Sequence, residues 1–233
     1  MTVAAEQPGP GRAGPGRWGD RRRRRIGLLG GSFNPAHAGH RHVAQQALRA
    51  LRLDQVWLLV SPGNPLKPVS GMAPFAQRLA SARAIADGVR ILATGIEASI
   101  GQRYSARTLR RLSRLFPRAR FVWIIGADNL AQLPRWRQWR SLAARTPMAV
   151  LPRPGWTRPA LHGAAASTLR RHRRPAGAVL PGAVLPDREG GGHAAWGLIP
   201  AREHPASATA LRRSGNGLAS HAARGHSALA PPP

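Results

Sequence analysis

The chain has no cysteine. That excludes disulfides, thiolate-ligated zinc, iron–sulfur clusters and a thiol nucleophile, and it fits the cytoplasm as compartment. Acidic residues are scarce, nine against 36 basic ones, for a formal net charge of +27. Lysine is scarcer still: Lys67 is the only one. No apolar run approaches the roughly 20 residues that a membrane helix needs, and no apolar core follows the basic N-terminus as a signal peptide would require. No membrane partner is therefore expected. The positive charge would ordinarily point to nucleic acid. Here it is almost all arginine, spread along the chain with abundant Ala, Gly and Pro, and no nucleic-acid motif accompanies it. The charge is read as compositional bias, and a nucleic-acid partner is not expected.

What is present is one foldable unit between two tails. Residues 1–25, rich in Gly, Pro and Arg and ending in the run Arg21–Arg25, carry no periodic apolar pattern and are expected to be a disordered tail, as are residues 214–233. Between them short apolar runs alternate with amphipathic stretches. Strands are expected at Ile26–Gly30, Val56–Ser61, Val89–Ala93, Phe121–Gly126 and Pro147–Leu151, and helices near 39–52, 74–87, 105–115 and 135–144. The first helix has Val43, Ala47, Leu48 and Leu51 at helical spacing. This βαβαβ order predicts a single doubly wound, Rossmann-like α/β domain over 26–213, a parallel sheet with helices on both faces. The stretch 153–195 has little pattern beyond one weak helix near 161–173, Ala194–Ile199 reads as a last strand, and Ser207–Arg213 as the opening of a final helix.

The strongest local signal is Gly30-Gly31-Ser32-Phe33-Asn34-Pro35-Ala36-His37-Ala38-Gly39-His40, directly after the first strand and before the first helix. Ligands of open α/β sheets bind outside the carboxyl ends of the strands, and a helix N-terminus there offers N–H groups and positive dipole to a phosphate. The glycines let backbone approach an anion without a Cβ in the way. His37 and His40, three residues apart, face one way from the first helical turn and can donate to phosphate oxygens that gain charge in a displacement. A bare pair of histidines at this spacing would read as surface or capping residues. The eleven-residue string in a strand-to-helix turn favours a phosphate site. Neither GxxxxGK[ST] nor GxGxxG is present, so phosphoryl or nucleotidyl transfer without a Walker lysine remains.

This string resembles the GGxFxPxHxGH element of the HxGH nucleotidyltransferases, and most of all the nicotinate-nucleotide adenylyltransferases. Other segments agree in order and spacing: Ser61-Pro-Gly-Asn-Pro-Leu-Lys67, Ile124-Ile-Gly-Ala-Asp-Asn-Leu130 with Leu133, Trp136 and Trp139, Val150-Leu-Pro-Arg-Pro-Gly155, and Ser207-Ala-Thr-Ala-Leu-Arg212. The resemblance spans residues 26–213. It implies that Gly30, Gly31, Ser32, Phe33, His37, His40, Ser207, Thr209 and Arg212 bind ATP, with His37 and His40 catalytic. It implies further that Asn34, Lys67, Thr94, Tyr104, Asp128, Trp136 and Arg153 line the site for nicotinate mononucleotide.

Each of these also has a plainer explanation. Trp136 and Trp139, three apart on a helix, could be core packing, although in the family the first such Trp lies near the nicotinate ring. Asp128 could cap the next helix or contact a ribose or a metal-bound water. Lys67 and Arg212 could be surface cations, yet two phosphate-rich substrates need such partners. The chain departs from the family pattern at two places. Tyr104-Ser-Ala-Arg-Thr108 stands where relatives often carry an aspartate in a TxDT-like segment, and Thr94-Gly95 stands in place of Thr-Asp.

The reaction implied is attack by the mononucleotide phosphate on the α-phosphorus of ATP with release of pyrophosphate. The nucleophile is already anionic, so positioning and charge stabilisation are the enzyme's task. Without a carboxylate cage in the sequence, Mg2+ is expected to arrive with ATP. The alternatives are another HxGH enzyme, such as one acting on phosphopantetheine, and a non-catalytic RNA-binding protein on the same fold.

Overall fold

A computed structural model describes residues 14–63, 71–102, 104–179, 184–186 and 192–203. The chain runs β1 (Arg24–Gly31), α1 (Ala38–Ala50), β2 (Gln55–Val60), α2 (Phe75–Ile85), β3 (Ile91–Thr94), α3 (Ile96–Ser99), α4 (Ser105–Leu115) and β4 (Ala119–Gly126). It continues with α5 (Ala127–Gln132), a 3-10 turn at Leu133–Arg135, α6 (Trp139–Arg145), β5 (Met148–Leu151), α7 (Thr157–Leu161) and α8 (Ala164–Thr168). Strands β6 (Val184–Pro186), β7 (Gly192–Ala194) and β8 (Trp196–Leu198) close the described chain. Six strands form one sheet in the order β3-β2-β1-β4-β5-β8, every pairing parallel, while β6 and β7 pair antiparallel by themselves. This is the expected doubly wound α/β domain, with its strand order reversing between β1 and β4.

Both faces of the sheet are covered, which explains why its strands read as nearly continuous apolar runs. Alternate residues divide between two cores. Leu28, Trp57, Leu59, Trp123 and Ile125 face one way, against Leu109 and Leu112 of α4, Leu130 of α5 and Leu142 of α6. Leu29, Leu58, Val60 and Ile124 face the other, against Val43, Ala47 and Leu48 of α1 and Ala82 of α2. Gly27 has no room for a side chain: a Cβ there would meet the Ile124 side chain at 2.5 Å and that of Leu53 at 2.8 Å.

Several boundaries differ from the sequence reading for identifiable reasons. Arg24 and Arg25, placed in the disordered tail by their charge, belong to β1. The Asp54 carboxylate accepts the Arg25 N–H at 2.7 Å, and Arg24 donates to Gln55 at 3.0 Å. β3 starts at Ile91 because Asp87 accepts the N–H groups of Val89, Arg90 and Ile91 and bends Val89 out of the sheet. The helix expected over 135–144 is broken: Trp136 and Trp139 do not share a helix, because Gln138 sits at φ 59° between the 3-10 turn and α6. The weak helix near 161–173 is two short helices separated at Gly163, and the expected last strand is split between β7 and β8.

Candidate active site

At the carboxyl edge of the sheet the chain leaves β1 at Gly31 and enters α1 at Ala38, on one side of the reversal in strand order. On the other side β4 passes from Gly126 straight into α5. A doubly wound sheet opens a crevice at such a point.

The helix entering that crevice is capped by histidine. His37, extended at φ −150° and ψ 170°, accepts the Gly39 N–H on Nδ1 at 3.1 Å, and His40 accepts the His37 N–H on its own Nδ1 at 3.2 Å. The reciprocal box that Ser or Thr usually makes with Glu is built here from two imidazoles. A ring nitrogen that accepts an amide N–H carries no proton, so each ring holds its proton on Nε2. The two rings lie 3.9 Å apart, and the Phe33 ring lies 4.8 Å from that of His40. Two imidazole N–H donors are thereby fixed at a helix terminus that already favours anions.

The loop between β1 and α1 is bound to the segment between β2 and α2. Asn34, 8% exposed, donates to the Gly71 carbonyl at 2.8 Å and accepts the Ala73 N–H at 3.1 Å. Its side chain spans two stretches of backbone. Ser81 of α2 accepts the Ala36 N–H at 3.1 Å. Arg78, also of α2 and 3% exposed, donates from Nε to the Ala73 carbonyl at 2.9 Å and from its terminal nitrogens to the carbonyls of Ser32 (2.8 Å), Ser61 (2.7 Å) and Pro62 (3.4 Å). Burial lowers its pKa from the ordinary arginine value. Sequence reasoning missed Arg78, one arginine among so many; a charged residue in the middle of a helix covering the sheet was the available clue. Gly30 and Gly31 are filled from inside: a Cβ would meet the Trp123 ring at 3.0 Å and the Phe33 ring at 3.2 Å.

Across the crevice the groups are less tied. Asp128 lies in the first turn of α5 without capping it, its Oδ1 3.8 Å from Nε of Arg153. That oxygen is buried and has no hydrogen-bond partner among the described residues. Trp136 is half-buried against the core, whereas Trp139 is core at 8% exposure. Tyr104 precedes α4 with the guanidinium of Arg137 5.3 Å from its ring, which joins the Tyr104 and Trp136 segments. Thr94 turns inward, 8% exposed, its hydroxyl accepting the Ile96 N–H at 3.2 Å. Nearby lies Glu97, for which no sequence signal existed, buried on α3, where among the described residues only the Thr108 hydroxyl donates to it, at 2.8 Å; burial pushes its carboxyl up to about 7. No group of three or more His, Asp or Glu able to hold a metal occurs among the described residues.

Lys67, Ser207, Thr209 and Arg212 lie outside the described residues. The approach to the last three is anchored, however. His42 of α1 donates to the Arg202 carbonyl at 2.9 Å, and the Glu203 carboxylate accepts the Thr157 hydroxyl at 2.9 Å. Thr157 also accepts the Arg153 N–H at 2.9 Å, so Arg202 and Glu203 are held between α1 and the loop after β5.

Residues 28–214 match the model of the cytidylyltransferase-like family. The chain belongs to that family. It is 62% identical over 191 residues to a protein of Gluconobacter oxydans (strain 621H), covering 82% of this chain and 95% of the relative. It is 55% identical over 197 residues to one of Gluconacetobacter diazotrophicus, covering 84% and 89%. Both are named as probable nicotinate-nucleotide adenylyltransferases. Among solved structures it is similar to the nicotinic acid mononucleotide adenylyltransferase of Plasmodium falciparum complexed with NaAD, with a TM-score of 0.58 at 16% identity over 82% of this chain and 83% of that one. At that identity the likeness speaks for the fold, and the bacterial relatives place this family member among the nucleotidyltransferases.

Proposed function

We propose that the protein joins nicotinate mononucleotide to the AMP part of ATP, giving deamido-NAD and pyrophosphate. The observation that carries this reading is the pair of histidines that cap α1 at the reversal of strand order, held with Nε2–H donors at a helix N-terminus. The names of the bacterial relatives supply the acceptor.

An oxygen of the mononucleotide phosphate attacks the α-phosphorus of ATP in line. One P–O bond forms as the bond to the β-phosphate bridge breaks, and pyrophosphate leaves with that electron pair. The nucleophile needs no base. His37 and His40 donate to phosphate oxygens as charge moves onto the leaving group, and the N–H groups around Gly31–Phe33 hold the α-phosphate. Gly30 and Ser32 complete that loop. Lys67, Ser207, Thr209 and Arg212 hold the remaining phosphates. Asn34, Thr94, Tyr104, Asp128, Trp136 and Arg153 form the acceptor side, with Trp136 against the pyridine ring. Magnesium, bound with ATP, would offset phosphate charge, with the orphaned Asp128 oxygen as the protein group suited to one of its waters.

The catalytic unit is read as residues 26–213, extended by the start of β1, and the protein as cytoplasmic; no helix among the described residues is long and apolar enough to cross a membrane. The test is pyrophosphate release with ATP, magnesium and, separately, nicotinate mononucleotide, nicotinamide mononucleotide and phosphopantetheine, alongside His40→Ala. Release with nicotinate mononucleotide that disappears in the variant is expected. Release only with another acceptor would keep the reaction and change the substrate. No release from folded protein would sink the proposal.

A further inference from the structure

Arg78 is costly to bury. Its guanidinium is nine-tenths or more enclosed, and all its hydrogen bonds among the described residues go to backbone carbonyls. A buried cation with no carboxylate beside it gains no Coulombic return for its lost hydration. What it holds is specific: the turn after β1 at Ser32, the turn after β2 at Ser61 and Pro62, and the entry to α2 at Ala73. Reaching carbonyls on three segments needs the planar fork of arginine; a lysine ammonium carries the charge without the spread.

The consequence falls on one peptide unit. The Ser32 carbonyl is drawn to Arg78 at 2.8 Å. In a planar trans peptide the following N–H points the opposite way, so the Phe33 N–H is turned away from α2. Phe33 itself sits at φ 47°, a left-handed conformation that a bulky residue does not hold unaided. Ser81, one helical turn after Arg78, supports the same loop through the Ala36 N–H. We infer that Arg78, with Ser81 as its support, is a positioning residue for the nucleotidyl transfer, fixing the Ser32–Phe33 peptide so that its N–H stays turned toward the transferring phosphate. This rests on the reading of Gly30–Phe33 as the phosphate loop.

The experiment compares the full-length protein with Arg78→Lys by steady-state kinetics and by the amide resonance of Phe33 with and without ATP. In the wild type ATP shifts that resonance. In Arg78→Lys the shift is expected to be lost and kcat to fall on the order of 10²-fold, as for loss of one aimed donor, with the KM values for both substrates little changed. A variant with lowered melting temperature but unchanged kcat and Phe33 shift would make Arg78 merely structural and overturn the inference. A wild-type Phe33 amide that ignores ATP would instead overturn the phosphate-loop reading beneath it. Should Arg78→Lys fail to fold, Ser81→Ala carries the test: a reduced Phe33 shift and a roughly tenfold lower kcat, about 1.4 kcal/mol, support the inference, and wild-type values for both overturn it.

Discussion

The two faces of the sheet are built on different plans. On one face two long helices, α1 of 13 residues and α2 of 11, flank the loop of Gly30–His40, which is tied down by part-buried hydrogen bonds of its own Asn34 and of Arg78 and Ser81 on α2. On the other, four of the five helices from α3 to α7 have seven residues or fewer, and the groups offered to the crevice are half-buried and lightly tied: Trp136, Tyr104 and the Asp128–Arg153 pair. Under the proposed function the first face would meet charge at fixed positions during bond exchange, and the second would recognise a flat ring and a ribose.

The sharpest way to break this contrast is His40→Ala. It should lower kcat by about 10²–10³-fold while leaving the KM for ATP within a few-fold, as loss of a transition-state donor does. An effect mainly on KM would show that the capped terminus only binds. Next is Glu97→Gln, on the loosely bonded face. Below the ordinary glutamate pKa of 4.5 both folded and unfolded chains hold the proton and burial costs nothing extra. As pH rises toward about 7 the unfolded chain ionises first, so stability falls, and the loss is complete once the folded carboxyl ionises too. The variant should therefore be more stable by about 3 kcal/mol at neutral pH and unchanged near pH 4, measured by denaturant melts across that range. A wild-type melt without that slope would contradict it.

Asn34→Ala removes the part-buried hydrogen bonds to Gly71 and Ala73 and should cost about 2 kcal/mol of stability together with a fall in kcat, read by melting and turnover in parallel. Turnover that survives the lost stability would mean the loop needs less fixing than the first face suggests. The smallest effect is expected from Trp136→Ala, a rise of roughly tenfold in the KM for nicotinate mononucleotide with kcat and melting temperature nearly kept. A kcat effect as large as that of His40→Ala would erase the division of labour between the faces.

The same contrast governs what the sequence discloses. α1 and its β1 were legible because Val43, Ala47 and Leu48 repeat at helical spacing behind an apolar strand, and Gly30–His40 is contiguous. Apart from α4, read at its observed bounds, the second face was harder because its other helices are too short to show a period, and one turn at Gln138 separates Trp136 from Trp139 where spacing alone suggested one helix. Arg24 and Arg25 looked like tail because charge conceals a strand end that pairs with Ala119 and Arg120 of β4 and is held by the side chains of Asp54 and Gln55. Arg78, marked only by its charge within a sheet-covering helix, and Glu97 were missed for a common reason: their roles come from backbone and hydroxyl partners elsewhere in the chain, which no local pattern encodes.

The histidine cap has one further consequence, for anyone who would make this protein sturdier. Serine at position 37 and glutamate at position 40 are what a stabilising redesign of the α1 terminus would choose, since they form the stronger box. Those two changes would satisfy the same backbone amides while deleting both imidazole donors. Under the proposed function the routine improvement of this helix would also be its inactivation, and thermal screening without an activity assay would select for a well-folded, silent enzyme.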